Sequence, residues 1–172
     1  MYIYWFDLFM EKHLKTALPI TTPVGIIGGG FAALMAYSVL RFRGMPARDI
    51  AIFAPESSPE KSWLNMAYAI NQQTMRSESI GHFLPTDSPG LATLEALKNW
   101  SPKPIILSWF DQYRPAVTTI IEHARSLARQ LHFWQELYPA RITRIIKEPE
   151  AFQLFNDRSE LIGRVRHLII AI

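Results

Sequence analysis

The chain has 172 residues, 49% of them hydrophobic, and a formal net charge of +3 at pH 7. That length suits one domain with a sizeable core, and so small a charge, with no basic stripe, gives no argument for nucleic acid. Cysteine is absent, which excludes disulfides, thiolate metal sites and a cysteine nucleophile and fits a reducing cytoplasm.

Residues 1–22 read as an N-terminal extension. Met1 to Met10 (MYIYWFDLFM) is strongly aromatic, yet it lacks the basic start and long apolar stretch of a signal peptide. Trp5, Leu8, Phe9 and Leu14 share a helix face suited to docking on the domain or on a membrane surface, protein being preferred.

The next segment, Val24-Gly25-Ile26-Ile27-Gly28-Gly29-Gly30-Phe31-Ala32-Ala33, is the most informative. A β-branched run stops at three glycines, and a helical pattern (Leu34, Met35, Tyr37, Ser38, Leu40) begins at once. Strand, tight turn and helix form the context in which the spacing G-x-G-x-x-A, carried by Gly28, Gly30 and Ala33, binds a dinucleotide. Gly28 permits the sharp turn, Gly30 lets a pyrophosphate approach the backbone, and Ala33 lets the helix pack closely on the strand. The helix N-terminus, at Phe31 and Ala32, offers N–H groups and partial positive charge to the phosphates.

Two plainer readings compete. Thr16 to Leu40 holds no charge over 25 residues and is closed by Arg41 and Arg43, as a transmembrane helix would be. Pro19, Thr21, Thr22 and Pro23 interrupt its first third and the glycines its middle. The soluble reading is preferred, because a buried parallel strand and its helix give the same apolar run. The other is a glycine turn that binds nothing.

A second strand follows at Asp49 to Ala54, after a turn at Gly44, Pro46 and Ala47. A ribose-binding acid is expected at its end, about 20 residues past the glycines. That position is Ala54, with Glu56 two residues later after Pro55. Either Glu56 reaches back to the ribose or the contact is missing.

Ser57 to Gly90 is polar and reads as a long irregular insertion of the kind that often carries function. Within it Arg76 suits a phosphate, or equally an ion pair with Glu78 or another carboxylate. Ser77 or Ser79 suits a cofactor hydroxyl. His82 is more simply a packing residue than a catalytic one, since no partner can be placed beside it. The five histidines have no metal-ligand spacing, so no metal is expected.

Ser88-Pro89-Gly90 reads as an N-cap with proline at N1, leading into Leu91, Leu94 and Leu97. Past a break at Pro102 and Pro104 lies the short apolar run Ile105 to Leu107. A stronger amphipathic helix starts near Pro115, with Val117, Ile120, Ile121, Ala124, Leu127, Ala128 and Leu131 on its core face. The remainder reads as β: Arg141 to Lys147, Ala151 to Phe155, a turn at Asn156-Asp157, and Val165 to Ile172, whose apolar end suits a central parallel strand.

The expected fold is α/β, a Rossmann-like parallel sheet flanked by helices with a small antiparallel β-meander, over residues 23–172. The order of elements resembles the N-terminal region of two-dinucleotide flavoproteins, which include glutathione-reductase-like enzymes and flavin-dependent N-hydroxylating monooxygenases. More narrowly, it is similar to a bacterial FAD/NAD(P)-binding group whose second strand runs into a proline, as Phe53-Ala54-Pro55 does. Ile169-Ile170-Ala171-Ile172 matches the approach to that group's Ala-Thr-Gly turn, with Ile172 where threonine is common and no glycine.

The resemblance implies FAD bound in extended form. Its ADP half would lie on Gly28, Gly29, Gly30, Phe31, Ala32, Ala33 and Glu56, with Ala171 at the closing turn. NAD(P)H is the implied electron donor, although the family's NAD(P)H-binding insert lies farther along than this chain reaches. The chain therefore reads as the FAD-binding part of an oxidoreductase of the monooxygenase or reductase kind, incomplete at its C-terminus. A partner chain would supply the rest, or the rest is absent. No catalytic acid–base pair is assigned. NAD(P) alone in the site, a non-catalytic nucleotide-binding remnant and a small membrane-attached protein are the alternatives. The open end strand predicts self-association.

Overall fold

The apolar stretch before Arg41 folds as a strand, a turn and a helix rather than as one span. In the computed structural model, which describes residues 19–55, 59, 61–75, 90–110 and 112–172, strand β1 (Ile20–Ile27) is followed by helix α1 (Phe31–Phe42). Among the described residues no helix is long and apolar enough to cross a membrane. The aromatic Met1 to Met10 segment, with Leu14, lies outside them.

The chain divides into two compact units, residues 1–59 with 128–172, and residues 60–127. The first is built on a six-stranded sheet. It holds β1, β2 (Ile50–Ala54), β3 (Leu137–Pro139), β4 (Arg144–Lys147), β5 (Phe152–Phe155) and β6 (Leu161–Ile170), in the order β3-β2-β1-β6-β5-β4. The pairs β3–β2, β2–β1 and β1–β6 are parallel, and β6–β5 and β5–β4 are antiparallel. Every residue of β2 is buried, as its continuous Ile-Ala-Ile-Phe-Ala run requires of a strand covered on both faces.

The expected Rossmann-like sheet with a meander is therefore present, with one change of wiring. The meander's third strand and the final parallel strand are a single strand. The early part of β6 pairs with β5 over Leu161–Val165, while Gly163–Ile170 runs parallel to β1. One strand can do both because its two edges bond independently.

The core of this unit holds a cluster of Ile20, Ile27, Ala51, Phe53, Leu154, Ile162 and Val165, with Tyr138, Phe152 and Leu168 packed against it. Gly163 makes room there: a Cβ on it would stand 2.8 Å from the tip of the Phe53 ring. Helix α1 buries Ala33, Leu34, Tyr37 and Ser38, the i, i+1, i+4, i+5 spacing of a core-facing stripe. Tyr37 meets Phe133 edge-on at 5.5 Å and donates its hydroxyl to the Leu131 carbonyl at 2.8 Å.

The second unit holds helices α2 (Lys61–Ala69), α3 (Leu91–Asn99), α4 (Lys103–Trp109) and most of α5 (Val117–Gln130). The segment read as irregular from Ser57 thus contains a helix, α2, whose Ala67 packs with Leu64, Val117 and Ile121. The N-cap before Leu91 is Gly90, at φ +83°, rather than Ser88, which lies outside the described residues. The prolines near residue 103 open α4 instead of breaking the chain: Pro102 caps it and Pro104 sits in its first turn, where no N–H is needed. Strand β4 starts at Arg144, three residues later than the alternation from Arg141 suggests.

Candidate functional site

The glycine turn lies at the carboxyl ends of β1, β2 and β6. From β1 the chain proceeds to β2 and then β3 on one side, while β6 flanks β1 on the other. That divergence is the topological switch point of an open parallel sheet, where ligands of such folds bind.

Two backbone hydrogen bonds fix the turn. Gly28 N–H donates to the Phe53 carbonyl at 2.9 Å, and Ala171 N–H donates to the Ile27 carbonyl at 2.8 Å. Gly28 has φ +118°, and a Cβ there would stand 2.0 Å from the Ala171 carbonyl oxygen. Both conditions demand glycine. Gly30 differs, with φ −81° and ψ −168°, extended backbone that any residue adopts. The nearest atom to a Cβ on it would be the Pro59 carbonyl oxygen at 3.9 Å.

Ala33 is fully buried in the first turn of α1, where a larger side chain would push the helix away from the sheet. Ala32 is exposed, and Phe31 and Gly29 are partly so. The ladder of α1 opens with Leu34 N–H on the Gly30 carbonyl at 3.0 Å. Donors ahead of Leu34 lie outside that ladder, and the first turn carries no acidic side chain. An anion at this end would meet the positive end of the helix dipole.

Of the residues expected at the site, Gly28, Gly29, Gly30, Phe31, Ala32, Ala33 and Ala171 are gathered here. Glu56, Arg76, Ser77, Ser79 and His82 lie outside the described residues. The end of β2 carries no carboxylate: Ala54 is buried and pairs with Pro139, and Pro55 follows. The carbonyl of Phe53 and the approach of Pro59 were not foreseen, since a backbone contact leaves no mark in side-chain pattern.

Titratable groups shifted by burial lie elsewhere. Tyr37 is pushed up to about 12, chiefly by burial, and burial lowers His123 and raises Tyr138. Among the described residues no cluster of histidines and carboxylates could hold a metal ion.

This sheet order, with the glycine turn at its switch point, is a Rossmann-type arrangement. No protein-family profile matches the sequence, and no curated protein matches it. Solved structures do. A flavin-containing monooxygenase from Stenotrophomonas maltophilia matches with TM-score 0.53 and 19% identity, over 88% of this chain and 38% of its own. A steroid monooxygenase bound to NADP matches with TM-score 0.57 and 18% identity, over 88% of this chain and 26% of its own. The ornithine hydroxylase of Pseudomonas aeruginosa matches with TM-score 0.56 and 13% identity, over 88% and 38%. The chain thus spans roughly a quarter to two fifths of the length of these proteins.

Proposed function

We propose that this chain is the FAD-binding module of a flavin-dependent oxidoreductase, with the dinucleotide pyrophosphate seated on the Gly28–Ala33 turn. The observation that carries the reading is Gly30. Its backbone conformation and its surroundings among the described residues would accept a side chain, and close approach of a ligand gives a reason for glycine there. The site fits such a group in three further respects: helix donors outside the ladder of α1, no acid in its first turn, and a switch-point position.

When bound, the flavin supplies hydride transfer. The chain's own residues bind and orient it. Gly30 gives the phosphates access to the backbone, α1 presents its N-terminal donors, and Ala171 borders the site. Glu56 is assigned the ribose, Arg76 a phosphate, and Ser77 a cofactor hydroxyl, with NAD(P)H as electron donor. The same reading takes residues 1–22 as an extension and 23–172 as the binding domain, in the cytoplasm. Substrate and nicotinamide sites are assigned to polypeptide beyond this stretch.

A second reading, a non-catalytic nucleotide-binding remnant, is favoured by Ala54, which leaves the end of β2 without a carboxylate. A visible absorption spectrum of the purified protein, with the released cofactor identified by chromatography, separates the two. FAD at near one per chain supports the first reading. A colourless protein that refuses added FAD leaves the second.

A further inference from the structure

Helix α1 is apolar on two faces, and its buried stripe of Ala33, Leu34, Tyr37 and Ser38 is only one of them. From Phe31 to Leu40 it carries no charge. On the opposite side Ala32, Met35, Ala36 and Val39 recur at i, i+3, i+4 and i+7, the spacing of a second stripe. Ala32 is exposed and Met35 and Ala36 partly so, while Val39 is 42% and Phe42 44% exposed. An ordinary surface helix turns polar residues outward, and a helix apolar all round is a covered one.

The place of this face in the fold points to what covers it. Strands β1 and β2 are parallel, so α1, which joins them, returns along the sheet and ends where β1 begins. Val39 and Phe42 therefore lie toward the end at which Ile20 opens β1 and the chain leads back into residues 1–18. Those residues lie outside the described ones, but their sequence matches the face in character. Of residues 1–10 only Asp7 is charged, and Tyr2, Trp5, Phe6 and Phe9 fall at i, i+3, i+4 and i+7. That is the spacing of the outer stripe of α1.

We infer that the N-terminal segment docks as a helix on the outer face of α1. Its Tyr2, Trp5, Phe6 and Phe9 side meets Ala32, Met35, Ala36, Val39 and Phe42, and both apolar surfaces leave water. The lengths agree. The stripe from Ala32 to Phe42 is about 15 Å long, and a helix from Tyr2 to Phe9 about 12 Å. Residues 10–18 can span up to about 30 Å, enough to turn the segment back along α1. A segment on so short a tether faces α1 at an effective concentration of order millimolar, an advantage that no separate chain shares. The inference is independent of what the glycine turn binds.

Hydrogen exchange read by mass spectrometry on the whole chain tests it. In the wild type the amides of residues 2–10 should exchange at least tenfold more slowly than in the free peptide of that sequence. Val39→Glu and Phe42→Glu, both at exposed positions, should each remove that protection, and Ile146→Glu, on β4, should keep it. Circular dichroism checks that each variant is folded, and Phe42→Glu decides the matter if Val39→Glu is not. Exchange at the free-peptide rate in the wild type overturns the inference, as does protection that survives both variants. Protection that falls on dilution, the mark of a second copy, overturns it too. So does protection that appears only with phosphatidylglycerol vesicles, the mark of a membrane.

Discussion

The carbonyl oxygen of Ala171 lies 2.0 Å from the place a Cβ on Gly28 would occupy, so the end of β6 rests directly on the glycine turn. Gly28 is held by the protein's own packing, whereas among the described residues no atom stands closer than 3.9 Å to a Cβ on Gly30. The two glycines should therefore answer mutation differently. Gly28→Ala meets both a positive φ and a backbone atom, and is expected to cost at least about 2 kcal/mol. Gly30→Ala should change stability by no more than about 1 kcal/mol. Urea denaturation of the two variants measures both.

Gly30→Val carries the distinction to the ligand. The variant should fold as the parent does and bind FAD at least about tenfold more weakly, which is about 1.4 kcal/mol. Quenching of flavin fluorescence on titration with each protein reads this. Unchanged affinity in a folded variant would remove the principal support for a pyrophosphate at this turn.

Thr22, in β1, is 7% exposed, and its hydroxyl has no hydrogen-bond partner among the described residues. A buried hydroxyl without a partner costs free energy. Thr22→Val keeps the shape and suits a strand, so it should stabilise the fold by about 1 kcal/mol in the same assay.

Tyr37 contributes to the alkaline limit of the fold, as do Tyr113 and Tyr138, which burial also raises. Burial raises its hydroxyl from 10.0 to about 12, with Arg41 pulling down and Glu136 pushing up. The neutral form is the one the fold favours. Its contribution is full below pH 10 and is lost as pH rises from about 10 through about 12, of order 2–3 kcal/mol. Tyr37→Phe should cost about 1 kcal/mol at neutral pH through the lost bond to Leu131, and should show a shallower decline above pH 10. Tyr138, also raised by burial, supplies part of the decline that remains.

Phe53 and Gly163 form a size-matched pair across β1. Phe53→Ala should cost about 3–5 kcal/mol, and Gly163→Ala about 1–3 kcal/mol by crowding the ring. The double variant Phe53→Leu with Gly163→Ala should cost less than the sum of its two single changes, because the shorter side chain vacates the clash.

How much of this was legible depends on the range of the interactions involved. The strand before Gly28, the helix after Gly30 and the buried β2 follow from residues within a turn or two of each other, and their composition is local evidence. Leu137 to Pro139 is too short to show alternation, and it is a strand only because β2 offers a paired edge. Pro104 read as a breaker because proline marks both the end of one element and the start of the next. The spacing of Gly28 and Gly30 was visible, but not that Ala171, far along the chain, makes the first of them obligatory.

The double use of β6 also sets how the chain can fold. Ile27 and Ile170 are neighbours in the sheet although nearly the whole sequence separates them, and pairings of such range form slowly. Strand β1 keeps one edge unpaired until β6 has been made. Removing that strand would not trim the sheet at its margin: it would divide it into two ribbons, β3-β2-β1 and β5-β4, with no shared hydrogen bonds.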